Sequence, residues 1–100
     1  MEIVNIAVRD NSEEHRYEAL ADGTLAAVIA YRDRVDGARV FLHTQTEPEF
    51  GGKGVGGTLV RRALEIEREQ GRRVVPVCPF VAAFLERHPE YKDVIERSDG

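Results

Sequence analysis

The sequence has 100 residues, which suits one domain and leaves no room for two. Hydrophobic residues make up 42% and charged residues 32%, as in an ordinary soluble globular protein. The formal net charge of −4 argues against an open nucleic-acid-binding surface, because clustered lysine and arginine carry that kind of affinity. We therefore expect a single domain over residues 1–96, a frayed tail over 97–100 and no nucleic-acid partner.

Cysteine and histidine usage excludes several kinds of site. Cys78 is the only cysteine, so neither an internal disulfide nor a cysteine-based zinc site can form. His15, His43 and His88 lack the spacing of metal ligands, and we expect no bound metal. The longest strongly apolar run, 25–31, is far shorter than the ~20 residues of a membrane helix, and the N-terminus lacks signal-peptide features. These observations predict a cytoplasmic protein with no membrane partner.

The first half of the chain has the pattern of strands. Runs of β-branched, aromatic and alternating apolar residues between turn signals predict four of them. They cover residues 3–8, 15–21, 24–31 and 39–46. The pair Asp22-Gly23 is a two-residue hairpin signal. Short connections between the strands predict an antiparallel meander.

Helical periodicity replaces the strand pattern in the second half. Apolar residues spaced by three and four from Val55 onwards predict an amphipathic helix that Gly71 ends. A fifth strand is expected over 73–77, then a second helix over 79–87 that opens on a proline. Residues 91–96 indicate a short C-terminal helix. The order of elements predicts an α+β fold.

A glycine-rich stretch joins the fourth strand to the first helix. Residues 49–60 read Glu-Phe-Gly-Gly-Lys-Gly-Val-Gly-Gly-Thr-Leu-Val. Glycines allow positive φ and close backbone approach, and the first turn of a helix has free N–H groups and a partial positive charge. Together these features predict a site for an anion such as a diphosphate.

Several interpretations of this turn compete. Gly52, Gly54 and Gly57 have the spacing G-x-G-x-x-G, but a dinucleotide-binding fold needs an early strand before it and an acidic residue after the next strand. A Walker A loop is excluded because Lys53 is followed by glycine instead of serine or threonine. A flexible turn without ligand is the remaining alternative, at a considerable entropic cost. The residues alone indicate a phosphate-bearing ligand without identifying it.

The motifs resemble the acetyl-CoA signature of the GNAT acetyltransferases, Gln/Arg-x-x-Gly-x-Gly/Ala between the fourth strand and a helix. His43-Thr44-Gln45-Thr46, the turn 52–56 and the segment 74–80 resemble more closely a minimal subgroup of about this length, the YjdJ-like or NATD-like proteins. The resemblance implies a minimal GNAT fold and acetyl transfer from acetyl-CoA to an amine. Gly51 departs from the pattern, since the superfamily prefers Gln or Arg there.

The resemblance also implies which residues contact acetyl-CoA. The turn would hold the pyrophosphate through backbone amides, and the pantetheine arm would lie along the end of the fourth strand. These cofactor-binding residues are Thr44, Thr46, Gly51, Gly52, Lys53, Gly54, Val55, Gly56 and Gly57.

Two side chains are candidate catalytic residues. Cys78 follows the fifth strand, and it is either a nucleophile that forms an acetyl-cysteine, a proton donor to the leaving thiol, or a buried small residue without a chemical role. His43 is a candidate base for the amine proton, with packing on a sheet face as the alternative. Strand alternation groups His43 with Phe41 and Gln45.

The leading hypothesis is an acetyl-CoA-dependent N-acetyltransferase whose acceptor is an amine on a protein or a metabolite. A coenzyme A-binding module with little or no catalysis is the alternative. It is motivated by the lack of helices between the first two strands and by Leu85, which stands where many relatives have a tyrosine. A third possibility is an interaction domain that kept only the fold. The acidic balance of the chain favours a cationic acceptor.

Overall fold

The computed structural model describes residues 2–95. Its strands are β1 (Ile6–Asn11), β2 (Arg16–Ala21), β3 (Thr24–Asp33), β4 (Arg39–Thr46) and β5 (Val74–Pro76). Its helices are α1 (Val55–Gln70) and α2 (Pro79–Arg87), with short 3₁₀ helices at Ser12–Glu14, Pro48–Phe50 and Pro89–Val94. The predicted tail over 97–100 and residue 96 lie outside the described residues.

The five strands form one sheet in the order β1-β2-β3-β4-β5. Neighbours from β1 to β4 are antiparallel, whereas β5 is parallel to β4. A parallel pair needs a crossover connection, and α1 supplies it between the end of β4 and the start of β5. The predicted α+β fold, a four-stranded meander followed by helix, strand and helix, is confirmed.

The β2–β3 hairpin also determines where β1 begins. Asp22 and Gly23 have φ values of 47° and 86°, and two positive values match the predicted two-residue turn. The Asp22 carboxylate accepts hydrogen bonds from the amides of Val4 at 3.1 Å and Asn5 at 2.8 Å. Because a side chain holds these amides, the ladder starts only at Ile6, and the predicted first strand over 3–8 is wrong in its bounds.

The C-terminal end of the described chain also differs from the prediction. A 3₁₀ helix begins at Pro89 and ends at Val94, in place of the predicted helix over 91–96. Tyr91 and Val94 are buried in the main core, and Ile95 forms an isolated parallel bridge with Val74 at the edge of β5. The last described residues are therefore held by core packing and by the sheet edge.

The helices lie on one face of the sheet, here called the helix face. α1 packs on β1, β2 and β3, α2 packs on β4 and β5, and both contact the last 3₁₀ helix. The core between them includes the fully buried side chains Tyr17, Ile29, Phe41, Leu59 and Leu64. The opposite side of the sheet, the open face, carries mostly half-buried and exposed residues.

One extra residue in β4 changes which side chains reach the helix face. Tyr31 lies opposite Phe41, but the preceding Ala30 lies opposite His43, so Leu42 is the additional residue of a β-bulge. Phe41 is fully buried and His43 is exposed, although the two residues are separated by one position. The predicted alternation of His43 with Phe41 is therefore wrong, because a bulge reverses the pattern within the strand.

A buried polar network holds α1 to the sheet. Glu67 of α1 is fully buried, and its carboxylate accepts hydrogen bonds from the Tyr17 hydroxyl at 2.7 Å and from Arg72 at 2.9 Å. Arg39 of β4 lies 3.7 Å from the same carboxylate and donates to Asp10 at 2.9 Å. Burial raises the pKa of Tyr17, and the neighbouring carboxylate raises it further. Glu67 thus connects the C-terminal half of α1 to β2 and β4.

Glu18 is a second buried carboxylate, on the open face. It is only 2% exposed, and it accepts hydrogen bonds from Arg9 Nε at 2.7 Å, Arg16 Nε at 2.8 Å and Asn11 Nδ2 at 3.1 Å. Burial alone would raise the pKa of Glu18, but the three hydrogen bonds outweigh it and lower the pKa to about 2.

This depressed pKa predicts an acid-dependent loss of stability. The ordinary value is 4.5, so the contribution of Glu18 is fully present above pH 4.5 and disappears as the pH falls towards 2. Allowing for solvent around the exposed Arg9, we expect about 1–3 kcal/mol. Urea unfolding of Glu18→Gln between pH 7 and pH 2 should show a shallower acid limb than the wild type. An equally steep limb in Glu18→Gln, or a similar change in the exposed control Glu86→Gln, would contradict the assignment.

Candidate functional site

The glycine turn after β4 presents the backbone of a helix start to solvent. Gly52 and Gly54 have φ values of 75° and 76°, in the left-handed region that favours glycine. Gly54 is the N-cap residue of α1 and has no side chain that could cap the helix. The first amides of α1 therefore remain available to an anionic ligand, as the sequence predicted.

A cavity of about 200 Å³ lies against this turn. It is lined by Thr46, Phe50, Gly51, Gly52, residues 54–57 and Phe80. The structure thus brings one of the predicted β4 residues, Thr46, to the predicted turn. Lys53 is exposed and does not line the cavity, and neither does Thr44.

Two aromatic residues complete this cavity, and neither was among the predicted site residues. Phe50 is 2% exposed and immediately precedes the glycines. Phe80, in the first turn of α2, is 45% exposed, and its ring lies where a β-carbon on Gly56 would come within 3.0 Å of Cζ. The proline that opens α2 indicates only where the helix begins, and the contact of its first turn with the start of α1 depends on how the two helices pack.

Cys78 lies where β4 and β5 separate. The last pair of the two strands is Phe41 with Pro76, and the Cys78 amide then donates to the Phe41 carbonyl at 2.9 Å. Cys78 Sγ is 3.4 Å from Thr44 Oγ1, and the thiol is almost completely buried. Within the described chain, β4 has no strand partner on this side beyond that point. An extended ligand arm can therefore lie along residues 43–46.

The two candidate catalytic residues lie on opposite faces of β4. Thr44 is opposite Ile29 on the helix face and contacts Cys78. His43 is opposite Ala30, and since successive residues of a strand alternate, its imidazole projects to the open face. The structure does not bring His43 and Cys78 into contact, because they lie on opposite sides of β4.

Two other findings concern the part of the chain that the structure describes. Over residues 2–95, no group of three or more His, Cys, Asp or Glu side chains is arranged to hold a metal ion. None of the helices in this range combines the length and the apolar composition needed to cross a membrane.

A match to a known sequence family covers both most of the sheet and the glycine turn. The sequence model described as GCN5-related N-acetyl-transferase matches residues 16–94, from β2 to the last 3₁₀ helix. The chain belongs to the GCN5-related N-acetyltransferase family. Acetyl transfer is the chemistry of this GNAT family, and acetyl-CoA is its usual donor. No curated protein sequence matches the chain.

Solved structures agree with this family assignment. A protein described as a GCN5-like candidate N-acetyltransferase from Staphylococcus aureus is 27% identical, with a TM-score of 0.67 over 96% of this chain and 91% of its own. A ribosomal-protein-alanine N-acetyltransferase from Brucella melitensis is 21% identical, with a TM-score of 0.52 over 85% of this chain and 65% of its own. An aminoglycoside acetyltransferase from a soil metagenome is 12% identical, with a TM-score of 0.50 over 96% and 74%. The last two show the fold alone.

The close approach of Phe80 to the turn predicts different effects for two neighbouring alanine substitutions. Gly57→Ala adds a methyl group with no atom within 4 Å, so better helix propensity should raise the free energy of unfolding by about 0.5–1 kcal/mol. Gly56→Ala must displace the Phe80 ring, so it should give a smaller gain or a loss. Urea unfolding of both variants checks this, and equal stabilisation would show that the ring does not pack against Gly56.

Proposed function

We propose that this protein is an acetyl-CoA-dependent N-acetyltransferase of the minimal YjdJ-like or NATD-like subgroup, acting on an amine in the cytoplasm. The observation that carries the proposal is the continuity of the site. An uncapped helix start on a glycine turn, a cavity at that turn and an unpaired stretch of β4 lead to Cys78. Each part suits one part of acetyl-CoA.

The donor would bind from the turn towards the strand. Amides at the start of α1 would hold the pyrophosphate, because they have free N–H groups and lie at the positive end of the helix dipole. Lys53, exposed beside them, would add a positive charge. The pantetheine arm would then follow the edge of β4 past Thr46 towards Thr44. The thioester would lie near Cys78 Sγ.

The reaction would proceed by direct attack of the amine nitrogen on the thioester carbonyl carbon. A C–N bond forms, the C–S bond breaks, and the amine proton passes to His43 or to water on the open face. The coenzyme A thiolate receives a proton on the helix face, where Cys78 is the nearest candidate donor. In the alternative route, Cys78 first accepts the acetyl group and then passes it to the amine.

A coenzyme A-binding module without efficient turnover is the second candidate. The connection between β1 and β2 is a 3₁₀ helix of three residues, Ser12–Glu14, so no long helix there can enclose an acceptor. Cys78 is also only 2% exposed. Donor binding without turnover on amine and peptide panels would favour this candidate over the enzyme.

A charge placed in the turn should abolish donor binding. In Gly54→Glu, a carboxylate would lie beside the pyrophosphate, and we expect the Kd for acetyl-CoA and for CoA to rise at least about tenfold. Gly37→Glu is the matched control, because Gly37 also has a positive φ, at 96°, but lies in the β3–β4 hairpin. Isothermal titration calorimetry measures both variants. Wild-type protein that binds neither ligand would end the proposal.

The two candidate catalytic residues should affect turnover and leave donor binding unchanged. We expect Cys78→Ala and His43→Gln each to lower kcat by about a hundredfold, the usual size of a lost acid or base, with the Kd for acetyl-CoA within about twofold. Steady-state kinetics and calorimetry on the same preparations check this. Intact mass of the wild type after incubation with acetyl-CoA separates the routes, since one added acetyl group that Cys78→Ala lacks indicates the covalent route. An unchanged kcat in Cys78→Ala would make the cysteine a bystander.

A further inference from the structure

The open face of the sheet has a charge pattern opposite to that of the whole chain. Alternation and register place Arg9, Arg16, Arg32 and His43 on it. Among the described strand residues of this face, Glu18 is the only acidic one. The open face is thus a cationic surface, although the whole chain has a formal charge of −4.

The arginines of this surface have unused hydrogen-bond donors. Arg9 and Arg16 each bond Glu18 through Nε, at 2.7 Å and 2.8 Å, and their terminal nitrogens have no hydrogen-bond partner within the described chain. Arg32 is exposed and has no partner there at all. The side chain of Arg9 is 61% exposed and that of Arg16 is 34% exposed. Paired terminal nitrogens of this kind bind carboxylates in a bidentate manner.

Apolar side chains lie between these cationic groups. Leu20, Leu25, Val28 and Ala30 are half-buried on β2 and β3, and they form a floor across the middle of the open face. Such a floor with cationic groups around it fits an extended peptide with acidic side chains. A small metabolite would cover only part of it.

We propose that the open face docks the acceptor as an acidic peptide segment, and that the segment's amine reaches the thioester beside His43. This inference rests on the proposed function. His43 projects to the open face, and the gap between β4 and β5 begins next to it. The expectation of a cationic acceptor came from the net charge of the whole chain. The local field of the docking face attracts carboxylates instead, because charges within about 10 Å dominate at physiological ionic strength.

Two other occupants fit this surface less well. A second copy of the chain would place the same arginines against one another around a twofold axis, which like charges disfavour. A nucleic acid would find no tyrosine, phenylalanine or tryptophan of the described strands on which its bases could stack, since Tyr17, Tyr31 and Phe41 all lie on the helix face.

The test compares peptides of equal length that differ only beside one central lysine. In the first peptide the lysine is flanked by glutamates, in the second by glutamines and in the third by arginines. Each is titrated into the full chain in the presence of CoA, at low and at high salt. We expect the glutamate peptide to bind about tenfold more tightly than the glutamine peptide at low salt, and this difference should shrink as salt is added.

Arg32→Gln tests the surface without threatening the fold, because Arg32 has no partner to lose. It should weaken the binding of the glutamate peptide about twofold to fivefold and leave the binding of the glutamine peptide unchanged. Arg87→Gln, which removes an exposed arginine from α2 on the helix face, is the matched control and should have no effect. A triple variant, Arg9→Gln with Arg16→Gln and Glu18→Gln, removes the whole cluster and leaves no buried charge unpaired. It should lower the preference for glutamate to about the twofold to fivefold that Arg32 supplies.

Several results would overturn the inference. Equal binding of the three peptides, or tighter binding of the arginine peptide, would exclude an acidic peptide as the acceptor. Dimers in sedimentation equilibrium that Arg32→Glu dissociates would assign the face to a second copy, and displacement of the glutamate peptide by an oligonucleotide would assign it to nucleic acid. Acetyl-CoA titration of the same protein separates the two proposals. Donor binding without glutamate preference ends only the docking proposal, whereas glutamate preference without donor binding ends acetyl transfer and leaves the open face as an acidic-peptide site without an acetyl donor.

Discussion

The extra residue in β4 is the constraint on which the arrangement of the site depends. With Leu42 inserted opposite the Ala30–Tyr31 step, Thr44 and Thr46 turn to the helix face and His43 turns to the open face. A strand without this bulge would keep His43 on the same face as Phe41, inside the core, and would turn both threonines away from Cys78. One additional residue therefore places Thr44 and His43 on opposite faces of a single strand.

The position of α1 is the second constraint on the arrangement of the site. The two ends of this helix differ in how their polar groups are bonded. At its C-terminal end, the buried carboxylate of Glu67 is bonded by Tyr17 and Arg72. Removing one member of such a network leaves a buried polar group unpaired, which costs more than the net contribution of the intact bonds. At its N-terminal end, no side chain caps the helix, so its amides remain open to a ligand. The bonds at the C-terminal end thus fix the helix whose N-terminal amides remain open.

The small size of this GNAT domain has a direct consequence for its surfaces. A short connection, residues 12–15, joins β1 to β2. The longer helices of the described chain pack on the helix face, so the open face stays accessible. Charged side chains cover part of the open face, since Arg9 and Arg16 lie over Glu18 and bury its carboxylate. The same arginines keep their terminal nitrogens for other partners, which gives an acidic chain a cationic face. Net charge is therefore a poor guide to the recognition properties of such a domain.

What the sequence determined by itself was local. Gly54 and Gly71 set the two ends of α1, and Pro79 and Pro89 set the two ends of α2. Asp22-Gly23 specified the β2–β3 hairpin. Each of these residues acts through the backbone geometry of its own neighbourhood. The prediction of an anion site at the glycine turn was likewise drawn from a few adjacent residues. Only the tertiary structure decided the bulge at Leu42, the parallel pairing of β5 and the burial of Glu67 and Arg39 in the core. Register and charge pairing depend on partners far away in the chain, and a pattern read with a constant period of two contains no information about where that period is interrupted.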